Sequence, residues 1–280
     1  DKYKNIYSFM ISKKKKKKLL LNQREPINEL DYEFNKEYLS EEQNRILKKA
    51  LSSKDYFLLN GPPGTGKTSI IINELVKELH ANSTKNILLL AYTNRAVDEL
   101  CQSINEAISD DIDQKFIRIG NELTSSPEHH KNILNVIIRE TEKELNAKGE
   151  KLTRKTIVDL INNQRIFIST VASITNKSDI LKLKKFDTII IDEASQILEH
   201  QIIGILPKAN RFIMIGDHKQ LPAIVLQSPE LSKTNSEKLQ QIGLVNRKNS
   251  LFERLYTYCE HHAYENAYDQ LTYQGRMHYD

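Results

Sequence analysis

Gly61-Pro62-Pro63-Gly64-Thr65-Gly66-Lys67-Thr68 constrains this chain more than any other stretch. It fits the pattern G-x-x-x-x-G-K-[ST] at every defined position. Tyr56 to Leu59 reads as a short buried strand entering it, and Ser69 to Val76 as the helix leaving it. Glycines in that setting let successive backbone N–H groups turn inward around phosphate oxygens, at the positive end of the helix. Lys67 then reaches the outer phosphates as a point charge, and the Thr68 hydroxyl is placed to ligate Mg²⁺. Gly61, Pro62, Pro63, Gly64, Thr65, Gly66, Lys67 and Thr68 are the candidate nucleotide cradle.

The rest of the chain supplies the sheet such a loop needs. A continuous apolar run at 86–92 and apolar-rich stretches at 115–120, 165–171, 186–191 and 211–216 predict strands, with a last short one near 268–272. Helical patterns fall between them: after Ser40, after Thr93 or Asn94, over about 196–206 and near 250–260. Such alternation argues for an α/β fold, a parallel sheet covered by helices on both faces. Residues 121–164 break the alternation with two polar helical stretches, roughly 128–146 and 153–162, and predict an inserted helical subdomain. Residues 227–249 are polar and turn-rich, as in a surface excursion.

Composition narrows the class. Apolar residues make up 39% and charged residues 28% of 280 positions, as in a soluble globular domain. No run of about 18 apolar residues is present, and no signal-peptide pattern opens the chain. Cys101 and Cys259 are too few for a disulfide framework, which fits a reducing cytoplasmic or nuclear setting. The net charge of +4 lies wholly in residues 1–38, with ten basic and six acidic side chains. Residues 39–280 carry 31 of each sign, so affinity for nucleic acid there must come from local contacts. Lys13 to Lys18 form a run of six lysines, expected to be solvated or flexible, with a phosphate-backbone contact as the alternative.

Three further sites carry chemistry. Asp192-Glu193 ends an apolar strand, where open α/β sheets place their ligands. Asp192 suits the Mg²⁺ carboxylate, and Glu193 the group that orients or deprotonates an attacking water. Gly216 to Pro222 follows the next strand, and Gln220 can both donate and accept, so it could bond a γ-phosphate and that water. Ser40 with Gln43 three residues on is a capping box, which by itself gives Gln43 a purely local role. Cys259-Glu260-His261-His262 lacks a second pair at zinc spacing, His129-His130 reads as a solvated pair, and Cys101 as simply buried.

As an ordered set these motifs resemble superfamily 1 helicases, in the branch of the nonsense-mediated-decay helicase, senataxin and the Okazaki-fragment nuclease-helicase. Gln43 stands at the Q-motif position. Ala91 to Asp98 resembles motif Ia, Ser169-Thr170-Val171 motif Ib, Asp192 to Ser195 motif II, and Gly216 to Pro222 motif III. Leu271 to His278 resembles motif IV, with Gly275 where an aromatic residue is usual. The resemblance covers about residues 39–280. It implies a RecA-like P-loop NTPase in which Gln43 reads adenine and Arg276 acts as an arginine finger. Thr93, Asn94, Thr170 and Pro222 would line the path of a single nucleic-acid strand.

The implied layout is a basic N-terminal segment at 1–38, read as an upstream domain's tail, and a first motor domain at 39–120 and 165–265. The helical insertion is 121–164, and a second RecA-like domain begins at 266–280 and is truncated. The expected activity is ATP hydrolysis coupled to movement along a strand, 5′-to-3′, with DNA favoured over RNA. Alone, these residues are expected to bind ATP weakly and turn it over little. The rival is a nucleotide-regulated binding module that holds nucleic acid or a protein without translocating.

Overall fold

A computed structural model describes residues 2–81, 84–108, 115–217 and 228–272. Seven strands form a single parallel sheet: β1 (Tyr56–Asn60), β2 (Ile87–Ala91), β3 (Ile117–Ile119), β4 (Ile166–Thr170), β5 (Phe186–Ile191), β6 (Ala209–Gly216) and β7 (Tyr268–Gln270). Their order is β3-β4-β2-β5-β6-β1-β7, and every pairing is parallel. Four helices precede β2: α1 (Lys2–Met10), α2 (Lys14–Leu20), α3 (Glu41–Ser52) and α4 (Asn73–Ala81). Between β2 and β5 lie α5 (Asn94–Ala107), α6 (Leu134–Ala147), α7 (Arg154–Asn163), α8 (Val171–Asn176) and α9 (Ile180–Leu183). The rest are α10 (Glu199–Ile202), α11 (Pro229–Ser232), α12 (Glu237–Gln241) and α13 (Leu251–His261).

Side-chain alternation along the strands builds two cores from one sheet. Tyr56, Leu58, Leu88, Leu90, Phe212 and Met214 join one apolar cluster, with Leu19, Leu20, Ile174, Ile202 and Leu255 packed on them. Phe57, Leu59, Ile87, Leu89, Ile213 and Ile215 face the other way, beneath Ile46, Leu47, Val76, Leu100 and Ile104. Both faces are therefore covered, as the continuous apolar strands require.

Two local expectations change. The lysine run, expected to be solvated or flexible, is helical from Lys14 onward. Like charges four apart cost about 0.2–0.5 kcal/mol per pair, whereas burying each of Leu19 and Leu20 contributes about 1.5–3 kcal/mol, so packing wins. Lys13, Lys14, Lys15 and Lys18 remain exposed, while Lys17 Nζ donates to the Met10 carbonyl at 2.9 Å and Lys16 Nζ to that of Asn210. Asn210 is the second residue of β6, at the end of the sheet opposite the phosphate loop.

The expected helix over 196–206 is instead broken into a 3₁₀ turn (Ala194–Gln196), α10 and a second 3₁₀ turn (Leu206–Lys208). Ile197, Ile202, Ile203, Ile205 and Leu206 are all buried, a spread too wide for one helical stripe. Pro207 disfavours helix at the residue before it.

Candidate nucleotide site and strand path

The C-terminal ends of the strands bring the sequence motifs to one edge. Gly61 follows β1 and donates its N–H to Gly216 O at 2.9 Å, joining the loop to the end of β6. Gly64 and Gly66 take φ of 80° and 77°, left-handed values at which a side chain is strained. At Gly66 a Cβ would also lie 2.9 Å from Ile70 Cδ1. Thr65 Oγ1 ties the loop to itself through Pro62 O at 2.8 Å. Lys67 Nζ donates to Gly61 O across the mouth.

The helix leaving the loop begins with a π-helical turn, Lys67–Ile72, before α4. Gly66 O accepts from both Ile70 and Ile71 N–H, at 2.9 and 3.2 Å. Buried Asn73 explains the wide turn. Its Nδ2 donates to Ser69 O at 3.0 Å, and its Oδ1 accepts from Ser103 Oγ of α5 at 2.5 Å. Wide turns of this kind occur often at functional sites.

Asp192 meets the loop across the sheet. Its Oδ2 accepts from Thr68 Oγ1 at 2.7 Å and its Oδ1 from the Glu193 N–H at 2.9 Å. Glu193 has φ 52° and ψ 35°, left-handed backbone that costs a non-glycine residue on the order of 1–3 kcal/mol. Its Oε2 is buried without a hydrogen-bond partner among the described residues. Burial pushes the Asp192 carboxyl up, against the pull of Thr68, the Glu193 N–H and Lys67. Glu193 is pushed up by burial, then by Asp192 and Glu99. Burial lowers the Lys67 amine, opposed by Asp192, Asp217 and Glu193. Buried carboxylates with an unpartnered oxygen beside a hydroxyl form a hard oxygen set that fits Mg²⁺.

The loop opens into a cleft of about 710 Å³ that Gln43, Gly64 to Ile70, Glu99 and Leu271 help to line. Gln43 is in its capping box: Ser40 Oγ accepts its N–H at 3.1 Å and its Oε1 accepts the Ser40 N–H at 3.0 Å. Its Nε2 has no hydrogen-bond partner among the described residues. Buried Arg211 fixes the other end of α3, with Nη1 donating to Leu51 O and Ser53 O, each at 2.7 Å.

Beside the cleft, α3 is clipped to β7. Asp269 takes Arg45 Nε and Nη2 at 3.0 Å each and Lys49 Nζ at 3.0 Å, while Glu42 Oε1 accepts the Thr272 hydroxyl at 2.6 Å. Burial pushes the Asp269 carboxyl up, but hydrogen bonds from Arg45, the Gln270 N–H and Lys49 leave it below its usual value. A depressed carboxylate contributes stability that is present above its unfolded pKa and lost as pH falls through its folded one. The Gln270 and Leu271 amides are therefore expected to lose hydrogen-exchange protection below about pH 4. Asp269→Asn should lack that protection already at neutral pH; equal protection in both proteins would remove the clip's role.

Thr93 and Thr170 both spend their hydroxyls as helix caps. Thr93 Oγ1 accepts Ala96 N–H at 3.1 Å, and Thr170 Oγ1 accepts Ser173 N–H at 3.0 Å. Register pairs Ala91 with Thr170, so Thr93, Asn94 and Thr170 cluster at the ends of two neighbouring strands. Gln220, Pro222 and Arg276 lie outside the described residues.

The sequence reading missed Glu99, Gln102, Ser103 and Glu106, which line the cleft from α5. Their helical spacing from motif Ia was a readable signal. Glu99 also pairs with Arg95 at 3.1 Å. His129 is buried against Phe116, with centroids 6.4 Å apart, and is not a solvated pair member. Arg118 of β3, fully buried, is met by Asp98 of α5. Cys101 is buried; so is Cys259, whose thiol meets Tyr56 Oη at 3.4 Å. No cluster of three or more metal-capable His, Cys, Asp or Glu side chains occurs among the described residues.

A family profile described as "AAA domain" matches residues 38–140 and 134–228. The chain belongs to that family. Relatives of this AAA domain chain carry helicase names, in accord with the motif resemblance to superfamily 1. The DNA replication ATP-dependent helicase/nuclease DNA2 of Bos taurus is 32% identical over 239 residues, 85% of this chain and 21% of that protein. Its Saccharomyces cerevisiae counterpart is 34% identical over 236 residues, 84% of this chain and 13% of that protein. An uncharacterized ATP-dependent helicase of Methanocaldococcus jannaschii is 30% identical, over 76% of this chain and 42% of that protein. The chain thus spans between 13% and 42% of the length of these relatives. Among solved structures, the UvsW helicase from bacteriophage T4 gives a TM-score of 0.41 at 16% identity, over 84% of this chain and 67% of that one. No described helix is long and apolar enough to cross a membrane.

Proposed function

We propose that this chain is the nucleotide-hydrolysing half-site of an ATP-dependent helicase or translocase. The observation that carries this reading is the Thr68–Asp192 contact at 2.7 Å. It joins the phosphate loop to the strand-end acids on the sheet edge that also holds Thr93, Asn94 and Thr170.

In this reading the inward N–H groups of Gly64 to Thr68 hold the ATP phosphates, and Lys67 offsets their charge. Thr68 and Asp192 hold Mg²⁺, which, when bound, neutralises charge developing on the transferred phosphoryl group. Glu193 orients the attacking water and accepts its proton. Its raised pKa brings it toward the value that suits a base near neutral pH. Gln43 donates from Nε2 to the adenine, its carbonyl being engaged in the capping box. Gln220 senses the γ-phosphate, and Arg276 stabilises transferred charge. A second RecA-like domain, implied by the resemblance, completes the cleft. Thr93, Asn94, Thr170 and Pro222 contact one strand, with DNA preferred on the names of the relatives and movement 5′-to-3′.

Strand displacement by the intact protein tests this, using duplexes with a 5′ or a 3′ single-stranded tail. The expected result is ATP-dependent unwinding of the 5′-tailed duplex, lost in Glu193→Gln. ATP-dependent binding without unwinding or translocation would instead favour a nucleotide-regulated binding module.

A further inference from the structure

Gln43 by itself makes only half of a base contact. Its Oε1 is held by the Ser40 N–H at 3.0 Å, so what it can offer a ligand is the Nε2 donors. Adenine carries on one edge the N7 acceptor and, beside it, the N6 amino donor; guanine carries N7 and the O6 acceptor there. A donor at Gln43 meets N7 of either base equally well. Telling them apart takes a second group, an acceptor, next to the first.

Glu42 is that acceptor. It lines the nucleotide cleft together with Gln43, Ile70 and Leu271. Both bonds from Thr272 end on one carboxylate oxygen: Oε1 accepts the Thr272 N–H at 3.0 Å and its hydroxyl at 2.6 Å. The other oxygen, Oε2, has no hydrogen-bond partner among the described residues. The side chain is held in this position by its neighbours. Leu271 N–H donates to Asn60 O at 2.8 Å at the end of β1, which fixes the backbone that carries Thr272. The Arg45–Asp269 pair at 3.0 Å ties the next turn of α3 to β7. Buried Leu271 and half-buried Ile70 give the cleft an apolar surface against which a flat ring can lie.

We propose that Glu42 selects adenine over guanine, its Oε2 accepting from the N6 amino group while Gln43 Nε2 donates to N7. The inference rests on the reading of Gln43 as the adenine contact and adds the partner that discriminates. Guanine would place O6 against a carboxylate oxygen, lone pair facing lone pair with no proton between them. A site built to hydrogen-bond one group rejects an analogue that lacks it, because the polar atoms of the site are left unpaired. The same geometry fixes what an amide would do. The Thr272 N–H can only donate, so in Glu42→Gln the carbonyl oxygen stays on Thr272 and the amide nitrogen takes the place of Oε2. A donor then faces the base, which suits O6 of guanine and opposes the amino group of adenine.

The test is competition against a fluorescent ribose-labelled ATP analogue on the intact protein, with ATP, GTP and inorganic tripolyphosphate as competitors. Wild type is expected to favour ATP over GTP. Glu42→Gln should lower the ratio of ATP to GTP affinity roughly 5- to 150-fold, the scale of leaving one buried polar group unpaired, and shift tripolyphosphate by less than about twofold. Glu42→Ala should lose the preference without reversing it. Gln43→Ala should weaken ATP and GTP alike, since both carry N7, and spare tripolyphosphate. A wild type with no preference for ATP, or an unchanged ratio in Glu42→Gln, would overturn the proposal and leave the phosphate loop standing. Equal losses for all three competitors in Glu42→Gln would also overturn it, by showing that the residue only holds the fold. If Gln43→Ala binds ATP as wild type does, the adenine contact itself falls and the proposal with it.

Discussion

Lys67→Ala is expected to reduce ATP turnover by the intact protein roughly 10²- to 10³-fold, the scale of losing one positioned charge-stabilising group. Lys67 is the amine that Asp192, Asp217 and Glu193 all act on, inside a partly desolvated site. Deleting it leaves those carboxylates without their nearest cation while phosphates approach, so nucleotide affinity should fall together with turnover. Glu193→Gln should behave differently. It keeps the side-chain shape and removes the proton acceptor, so a fluorescent ATP analogue should still bind while phosphate release stops. Steady-state phosphate release and nucleotide titration on both variants separate the roles. Full turnover by Lys67→Ala in a clean preparation would refute the phosphate-loop assignment.

Arg254→Ala is expected to cause the largest loss of stability from a single change far from the site. The guanidinium is buried and grips Glu199 with two bonds, Nε to Oε2 at 2.9 Å and Nη2 to Oε1 at 2.7 Å. Its remaining donors reach Leu20 O at 2.8 Å and Ile242 O at 3.0 Å. One side chain of α13 therefore ties together α2, α10 and the turn after α12. Truncation leaves a partly buried carboxylate and two carbonyls without their donor, at a cost of about 3–5 kcal/mol. For a chain of 280 residues that corresponds to a thermal midpoint lower by about 5–9 °C. Lysine should not rescue, because it cannot bridge both carboxylate oxygens. The pair Arg254→Met with Glu199→Gln should lose less than Arg254→Ala alone, since no buried charge is then stranded. Scanning calorimetry decides this, and a midpoint within about 2 °C of wild type for Arg254→Ala would contradict the tie.

The sheet was legible because parallel strands buried on both faces must be apolar without interruption, and Ile87 to Ala91 or Phe212 to Ile215 can be nothing else. The phosphate loop and Asp192-Glu193 were legible because their chemistry fixes residue type and spacing locally. Packing between distant segments was not. Nothing in Lys13 to Lys18 announces that Leu19 and Leu20 enter the core, since that depends on α10 and α13 meeting them. Buried arginines look like surface charge in sequence; only the fold shows Arg211 holding the end of α3 and Arg118 meeting Asp98. Glu99 lay between the two cases, visible as the helical neighbour of motif Ia but meaningful only once α5 lies along the cleft.

The central claim is that one sheet edge couples ATP chemistry to a nucleic-acid strand. The most direct measurement is the ATP hydrolysis rate of the intact protein with and without single-stranded DNA. The expected result is a rate that rises with added strand, with Asn94→Ala requiring more DNA for the same rise and Glu193→Gln giving none. A robust hydrolysis rate that ignores nucleic acid would contradict the account.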